Sequence, residues 1–389
     1  MSLVSKALKA IFSFCLVTSC LAVLAVIPAL FHYWIFLRLP AKASLETKQF
    51  FIPPGTGAYK VSQLLESKEV IRNARAFYLL AWLNKSLHRL QAGEYAFLTL
   101  STPEQVLEKI VGGRVVIHSV TFVEGSTIRD VARMFEQKEL VTGSTILDLA
   151  KSPSFIRSLG LQGSSLEGYL FPETYSFKRP LEGASAIRSM VNQFWQHMPR
   201  EWQTRSRDLG LNLNQLVTLA SIIEKEAIVD SERPVIAGVF YNRLKINMPL
   251  QSDPTAVYDI PDFSGPVTSN HLTRQSPYNT YQIKGLPPGP ICSPGAKSLR
   301  AALYPEKVPY LYFVSNYDGT HYFSTTIEEH RKAVARYYQK KKKAEENGSP
   351  SPSSLKPEGP VKEQPAQAGN PPEQGESRDS NPVPAVQGD

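Results

Sequence analysis

Residues 11 to 37 read IFSFCLVTSCLAVLAVIPALFHYWIFL, without one Asp, Glu, Lys or Arg. At about 1.5 Å per helical residue this stretch reaches roughly 40 Å, enough to cross a hydrocarbon core of about 30 Å even when tilted. It exceeds a signal-peptide core, and Arg38 stands where a cleavage site would be needed, so the expectation is an uncleaved transmembrane anchor. Val17 to Cys20 resembles a lipoprotein processing box, but the apolar residues that continue to Leu37 argue against it. Lys6 and Lys9 precede the span while Arg38 and Lys42 follow, a weak bias that favours residues 1–10 inside and the remainder outside.

The other 350 or so residues leave room for two or three domains. The formal charge of +8 is spread along the chain apart from the run Lys340 to Lys343. No aromatic residues interleave with that run, so nucleic acid is not an expected partner. Cys15 and Cys20 lie in the apolar stretch and Cys292 is alone beyond it, which excludes a disulfide framework in the soluble part. Histidines 32, 88, 118, 197, 271, 321 and 330 never fall within a turn of one another, so no metal-ligand spacing exists and neither metal nor cofactor is expected.

Shifting the chain by 70 positions exposes a repeat. FIPPGTGAYKVSQLLESKEVI (51 to 71) lies over TFVEGSTIRDVARMFEQKELV (121 to 141), with identities at Gly55/Gly125, Val61/Val131, Glu66/Glu136, Lys68/Lys138 and Glu69/Glu139. Each copy reads as a strand, a glycine turn and an amphipathic helix. Two copies are too few for a solenoid and imply two small α+β units. AGEYAF (92 to 97) reads as a strand, and Thr102-Pro103-Glu104 opens a helix that Gly112-Gly113 closes. Residues 184 to 198 are helical in pattern. PYLYFVSNYDGTHYFS (309 to 324) predicts a hairpin, and residues 251 to 294 read as a long loop rich in Pro, Gly, Asn and Tyr. Beyond Glu345 the composition is that of a disordered tail.

Residues 212 to 228 carry the strongest helical period, with Asn214 as the expected cap and Leu216, Leu219, Ala220, Ile223 and Ala227 along the buried stripe. PVIAGVFYNRL (234 to 244) follows as an antiparallel partner. Within LASIIEKEA (219 to 227), Glu224 and Glu226 flank the stripe on opposite sides, some 160 degrees apart at 100 degrees per residue, and cannot share a target. Thr218, Ser221 and Lys225 fall on the face expected to be wet. A carboxyl at an apolar border loses solvation in its charged form, which favours the protonated form a general acid needs. The alternative is an ion pair with Arg233 or Arg243, and the helix alone does not choose between the two glutamates.

LASIIEKEA, VFYNRL (239 to 244), LQSDPTAVY (250 to 258), SPYNTYQIKGLPPGPICSPG (276 to 295), SLEGYLFPETY (165 to 175) and PYLYFV together resemble the MltG, or YceG-like, family of endolytic murein transglycosylases, over about residues 45 to 338. The resemblance implies an α+β chain with an N-terminal transmembrane helix (11–37), a LysM-like subdomain (45–115), a second α+β unit with connector (116–200), a mixed helical and β catalytic domain (201–338), and a disordered tail (344–389). It implies a bacterial inner-membrane protein whose catalytic domain faces the cell wall. Peptidoglycan glycan strands are the implied substrate and peptidoglycan synthases implied partners. The implied reaction cuts the MurNAc–GlcNAc bond within a strand and leaves a 1,6-anhydro end, terminating strand growth. The family's catalytic acid is the second glutamate of its pair, which falls on Glu226; Glu224, Gln251, Asp253, Thr255, Tyr278, Asn279 and Tyr281 fall among the residues around the sugar cleft. The first repeat departs from the family's usual Glu-Gly turn, reading Pro-Pro-Gly-Thr-Gly. Two rival readings stand beside this one: a hydrolytic muramidase with Asp253 as second carboxylate, and a wall-binding scaffold without catalysis.

Overall fold

A computed structural model describes residues 3–41 and 45–346. The tail expected to be disordered lies outside these from residue 347 onward, and the portion before it continues a helix as far as Glu346. The first element, α1 (Leu3–Arg38), contains the expected span, and from Ile11 to Arg38 it is long and apolar enough to cross a membrane. Near its end Phe36 is buried, and Tyr33 and Leu37 pack beside it, in the core of the unit that follows. That leaves Ile11 to His32 free of the globular part, about 33 Å of helix and close to the thickness of a hydrocarbon core.

The first unit runs β1 (Thr47–Ile52), α2 (Ala58–Ser67), α3 (Ala74–Leu83), β2 (Gly93–Leu98) and α4 (Pro103–Val111). Its strands pair antiparallel, Thr47 opposite Leu98 and Ile52 opposite Gly93. Ile52, Leu65, Phe77, Tyr95, Phe97 and Ile110 fill a core of its own. Thr102 caps α4 in a reciprocal box with Gln105, with Pro103 in the first turn where its missing N–H costs nothing.

The second unit repeats the plan: β3 (His118–Thr121), α5 (Ile128–Gln137), α6 (Gly143–Lys151), α7 (Pro153–Ser158) and β4 (Thr174–Phe177), with His118 opposite Phe177. The 70-residue offset holds in the backbone. Helices α2 and α5 occupy equivalent positions, Gly55 and Gly125 both take positive φ (76° and 82°), and Glu69 and Glu139 both sit in the left-handed region (58° and 51°). After each helix the chain turns through that left-handed residue, and Val70 and Leu140 bond back to the carbonyls of Leu65 and Phe135.

Helices α8 (Gly183–Gln196), α9 (Arg200–Asp208), α10 (Leu213–Glu226) and α11 (Arg233–Lys245) follow, then two short helices, α12 (Asp253–Val257) and α13 (Ser269–Thr273), inside the segment expected to be loop. The chain continues through α14 (Ala296–Leu303), the hairpin of β5 (Tyr312–Ser315) and β6 (His321–Ser324), and α15 (Ile327–Glu346). One hydrophobic core joins the second unit to the rest: Val120, Phe135, Tyr169 and Phe194 belong to the same cluster as Leu219, Ile236 and Leu299. The first unit is tied to this body through Glu94, which accepts from His118 (2.5 Å) and from Arg179 (3.3 Å).

Two local expectations are corrected. The cap of α10 is Asn212, whose side chain accepts from the Gln215 N–H while the Gln215 side chain accepts from the Asn212 N–H. Asn214 instead lies in the first turn and donates to the Pro288 carbonyl. The spacing Asn-x-x-Gln selects Asn212. The face of α10 expected to be wet is also buried: Thr218 and Ser221 are both fully covered. Ser221 Oγ accepts from the Ile291 N–H at 3.0 Å, so a segment 70 residues away satisfies a polar face that local periodicity assigns to solvent.

Candidate active site

Helix α10 is enclosed from Leu216 to Glu224; beyond that stretch its C-terminal turn emerges, where Lys225 and Glu226 are half-buried. The two glutamates diverge as their spacing requires. Glu224 is 6% exposed and turns inward: Oε1 accepts from Arg233 at 2.9 Å and Oε2 from the Gly295 N–H at 2.9 Å. Arg233, equally buried, also donates to Ser298 Oγ and Asp230. Both Glu224 oxygens are therefore engaged by protein donors. Arg233 is held above its ordinary pKa: burial opposes the charge, and the Glu224 and Asp230 carboxylates outweigh it.

Glu226 points the other way. Its Oε1 accepts from the hydroxyl of Ser252 at 2.5 Å. Ser252 is buried, and its N–H donates to Thr280 Oγ1 (2.9 Å), which in turn shares a hydrogen bond with Thr255 Oγ1 (2.7 Å). The Thr280 N–H closes the set by donating to Thr255 Oγ1. Ser252 and the Glu226 carboxylate are thus aligned by a threonine clasp between the QSDPT and YNTY segments. The preceding residue, Gln251, takes a positive φ of 52°. The chain just before it is fixed by Arg243, which donates to the carbonyls of Pro249 and Leu250 and to the side-chain Oε1 of Gln251 (3.3 Å). Arg243 is 5% exposed, and burial lowers its pKa against the opposing pull of Tyr312, Tyr281 and Glu226.

On the open side, Asp253 is exposed, and its Oδ1 accepts from the Tyr281 hydroxyl at 2.6 Å. Burial, then the adjacent Asp253 carboxylate, raises the Tyr281 pKa well above its ordinary value, so the phenol remains a donor. Tyr278 packs its ring on Tyr258 at 4.7 Å. Asn279 is fully buried, its amide donating to the carbonyls of His271, Leu272 and Arg274 and its oxygen accepting from the Tyr281 N–H. Of the residues singled out from the sequence, Glu226, Gln251, Asp253 and Tyr281 share the partly open rim, Tyr278 stands half-buried behind it, and Thr255, Asn279 and Glu224 are enclosed.

The sequence reading passed over several residues that build this site. Ser252 lies inside a motif already noted, and its polar type beside Asp253 was the available signal. Glu167, from SLEGYL, is buried and bridges two bodies: Oε1 accepts from the Ile128 N–H at the start of α5 (3.0 Å) and Oε2 from the Tyr258 hydroxyl (2.8 Å). Burial pushes its pKa to about 7 against those hydrogen bonds. The Glu-Gly turn of the second repeat docks on the same region, the Gly125 N–H donating to the Ser293 carbonyl and the Ser293 N–H to the Ser126 carbonyl. Among the described residues no group of His, Cys, Asp and Glu is arranged to hold a metal ion.

Residues 50–336 match the YceG-like family, and the chain belongs to that family. It is 32% identical over 313 residues to a protein of Bacillus subtilis (strain 168) named endolytic murein transglycosylase, covering 76% of this chain and 86% of that one. A protein of Streptococcus pneumoniae serotype 2 (strain D39 / NCTC 7466) with the same name is 30% identical over 325 residues; the match spans 74% of this chain and 57% of that longer relative. Among solved structures, a YceG-like protein from Listeria monocytogenes superposes with a TM-score of 0.52 at 34% identity, covering 74% of this chain and 99% of the other.

Proposed function

We propose that this chain is an endolytic murein transglycosylase, a lyase that cleaves the MurNAc–GlcNAc bond within peptidoglycan glycan strands. The observation that carries the reading is the carboxyl of Glu226, oriented by Ser252 and half-buried at the C-terminal turn of a helix whose middle is enclosed. Protonated Glu226 gives its proton to the bridging oxygen as the bond to the muramyl C1 breaks, and the GlcNAc end leaves as an alcohol. The resulting carboxylate then accepts the proton of the muramyl C6 hydroxyl, whose oxygen closes on C1 to form the 1,6-anhydro ring. Water is not consumed, so one carboxyl serves both steps, whereas hydrolytic glycosidases ordinarily need two.

The other residues divide by burial. Gln251, Asp253, Tyr278 and Tyr281 have open or half-open positions suited to sugar hydroxyls and ring faces. Glu224, Thr255 and Asn279, whose polar atoms are engaged by the protein, are positioning residues: Glu224 fixes α10 against the loop at Gly295, and the other two hold the QSDPT and YNTY segments. The first unit (45–115), read as LysM-like, carries a groove of about 1000 Å³ between the Pro53–Gly57 turn and Tyr59, Tyr78 and His88, a place for a neighbouring stretch of glycan. In this reading α1 spans the bacterial inner membrane with residues 1–10 inside and the catalytic face toward the wall. Peptidoglycan synthases, which supply the strand, are its partners.

The test is mass spectrometry of glycan strands digested by the purified full-length protein in detergent. Anhydro-muramyl ends inside former strands are expected, and their loss in Glu226→Gln with the fold intact. Products carrying an added water would assign a muramidase instead, with Asp253 as second carboxylate, and unchanged strands would leave a wall-binding scaffold.

A further inference from the structure

A second groove, of about 550 Å³, lies between the helix α5 face of the second unit and the segment from Asp253 to Val267, and it reaches Lys225, the residue before Glu226. Its walls are charged in both senses. Arg129, Arg133 and Lys225 stand on it together with Asp130, Asp253 and Asp262. Arg129 donates to the Tyr258 carbonyl and lies over the Tyr258 ring, while Arg133 bridges Asp130 on its own helix and Asp262 across the groove. The floor between these charges is apolar, formed by Val257, Ile260 and Ile291.

This lining does not suit a glycan. In a peptide-bearing strand the sugars themselves are neutral, the lactyl carboxyl of each muramyl residue being tied up as an amide, and they present hydroxyls, amides and flat ring faces, which polar uncharged groups and aromatic platforms satisfy. Six ionisable side chains around an apolar floor match a ligand that has carboxylates, an ammonium and short alkyl groups together. On a peptidoglycan strand one component has that chemistry: the peptide attached to the lactyl group of the muramyl sugar. Position agrees, because Asp253 follows the serine that orients Glu226, and the groove therefore opens beside the sugar whose C1 would be attacked.

Resting on the transglycosylase reading, we infer that the groove between α5 and the Asp253–Val267 segment is a subsite for the zwitterionic peptide of the muramyl residue at the scissile bond, with Arg129 and Arg133 receiving its carboxylates. The second repeat is then part of the substrate site.

The experiment compares two strand preparations, one bearing its peptides and one stripped of them by an amidase and then converted to the methylamide at the exposed lactyl carboxylates so that stripping adds no anion, using the full-length protein in detergent and counting anhydro ends. For the unaltered protein kcat/KM on peptide-bearing strands should exceed that on stripped strands by roughly tenfold or more, the scale of a charge-assisted contact or two. In Arg129→Ala and Arg133→Ala that ratio should fall toward one. A ratio near one in the unaltered protein, or a ratio that neither variant changes, overturns the subsite while leaving the transglycosylase reading standing. Absence of anhydro ends from both preparations overturns that reading and the subsite with it. A second readout is independent of turnover: Glu226→Gln protein should bind soluble muramyl tetrapeptide more tightly than the methylamide of the same sugar, and Arg129→Ala added to it should erase the difference.

Discussion

The hydroxyl of Ser252 donates to Glu226 Oε1 at 2.5 Å, while the serine's own N–H is held by Thr280. The hydroxyl and the backbone thus do separate jobs, one aiming the carboxylate and the other fixing the loop. Ser252→Ala removes the first and spares the second. The expected result is a fall in kcat of about 10- to 100-fold with little change in KM, since slight misplacement of a catalytic group is costly even when binding survives. Glu226→Gln should lose at least as much, roughly 100- to 10,000-fold. Steady-state release of anhydro ends, with circular dichroism to verify folding, measures both.

Glu224 gives the contrasting case. Replacing it with Ala leaves Arg233 buried with only its Asp230 and Ser298 contacts, and breaking a buried pair from one side costs about 3–5 kcal/mol. Glu224→Ala should therefore lower the unfolding midpoint in urea steeply, while Glu224→Gln, which still accepts from the Gly295 N–H, should lose less. If Glu224 is a positioning residue, Glu224→Gln assayed below its unfolding transition keeps most of its turnover, an outcome Glu226→Gln cannot share.

Glu167 makes stability depend on pH in a defined direction. Its pKa is raised by burial from its ordinary 4.5 to about 7, so the folded state favours the protonated form. The associated stability is fully present below about pH 4.5 and is lost as pH rises through about 7, a difference on the order of 3 kcal/mol. Glu167→Gln has no proton to lose and can still accept from the Ile128 N–H. Its urea stability should change less across that window than that of the unaltered chain. Identical pH slopes for the two proteins would exclude a neutral carboxyl at this position.

What local chemistry encodes was legible in the chain, and what distant segments supply was not. The repeat was visible because each copy needs the same glycine turn and the same left-handed residue after its helix, at Gly55 and Gly125 and at Glu69 and Glu139. The divergence of Glu224 from Glu226 followed from helical geometry alone. Ser221 read as solvent-facing because its N–H partner arrives from Ile291, beyond any local window, and Thr218, whose hydroxyl bonds back to the Asn214 carbonyl within the helix, is covered all the same. The segment from 251 to 294 read as loop because its order rests on side-chain to backbone bonds such as the three made by Asn279, which leave no periodicity. The single core shared by the second repeat and the later helices was likewise invisible, since each of its amphipathic faces predicts burial without saying against what.

Gly168 sits at the seam where that shared core closes. It has φ +86°, and a Cβ there would stand 2.6 Å from Pro290 Cβ and 2.8 Å from Val217 Cγ1. Gly168→Ala thus faces two penalties at once: a left-handed backbone that L side chains avoid, on the order of 1–2 kcal/mol, and an overpacked contact of about 1–3 kcal/mol. Neither neighbour gives way easily, because Val217 is on the enclosed side of α10 and Pro290 belongs to the segment whose Ile291 N–H bonds to Ser221. The relaxation that remains is an outward shift of residues 289 to 295, which would pull the Gly295 N–H from Glu224 and loosen the end of α10 that carries Glu226. Gly168→Ala should therefore lose about 2–4 kcal/mol in urea unfolding and, in the fraction that folds, lower kcat more than KM. An unchanged unfolding midpoint would mean that the loop and helix do not pack this closely.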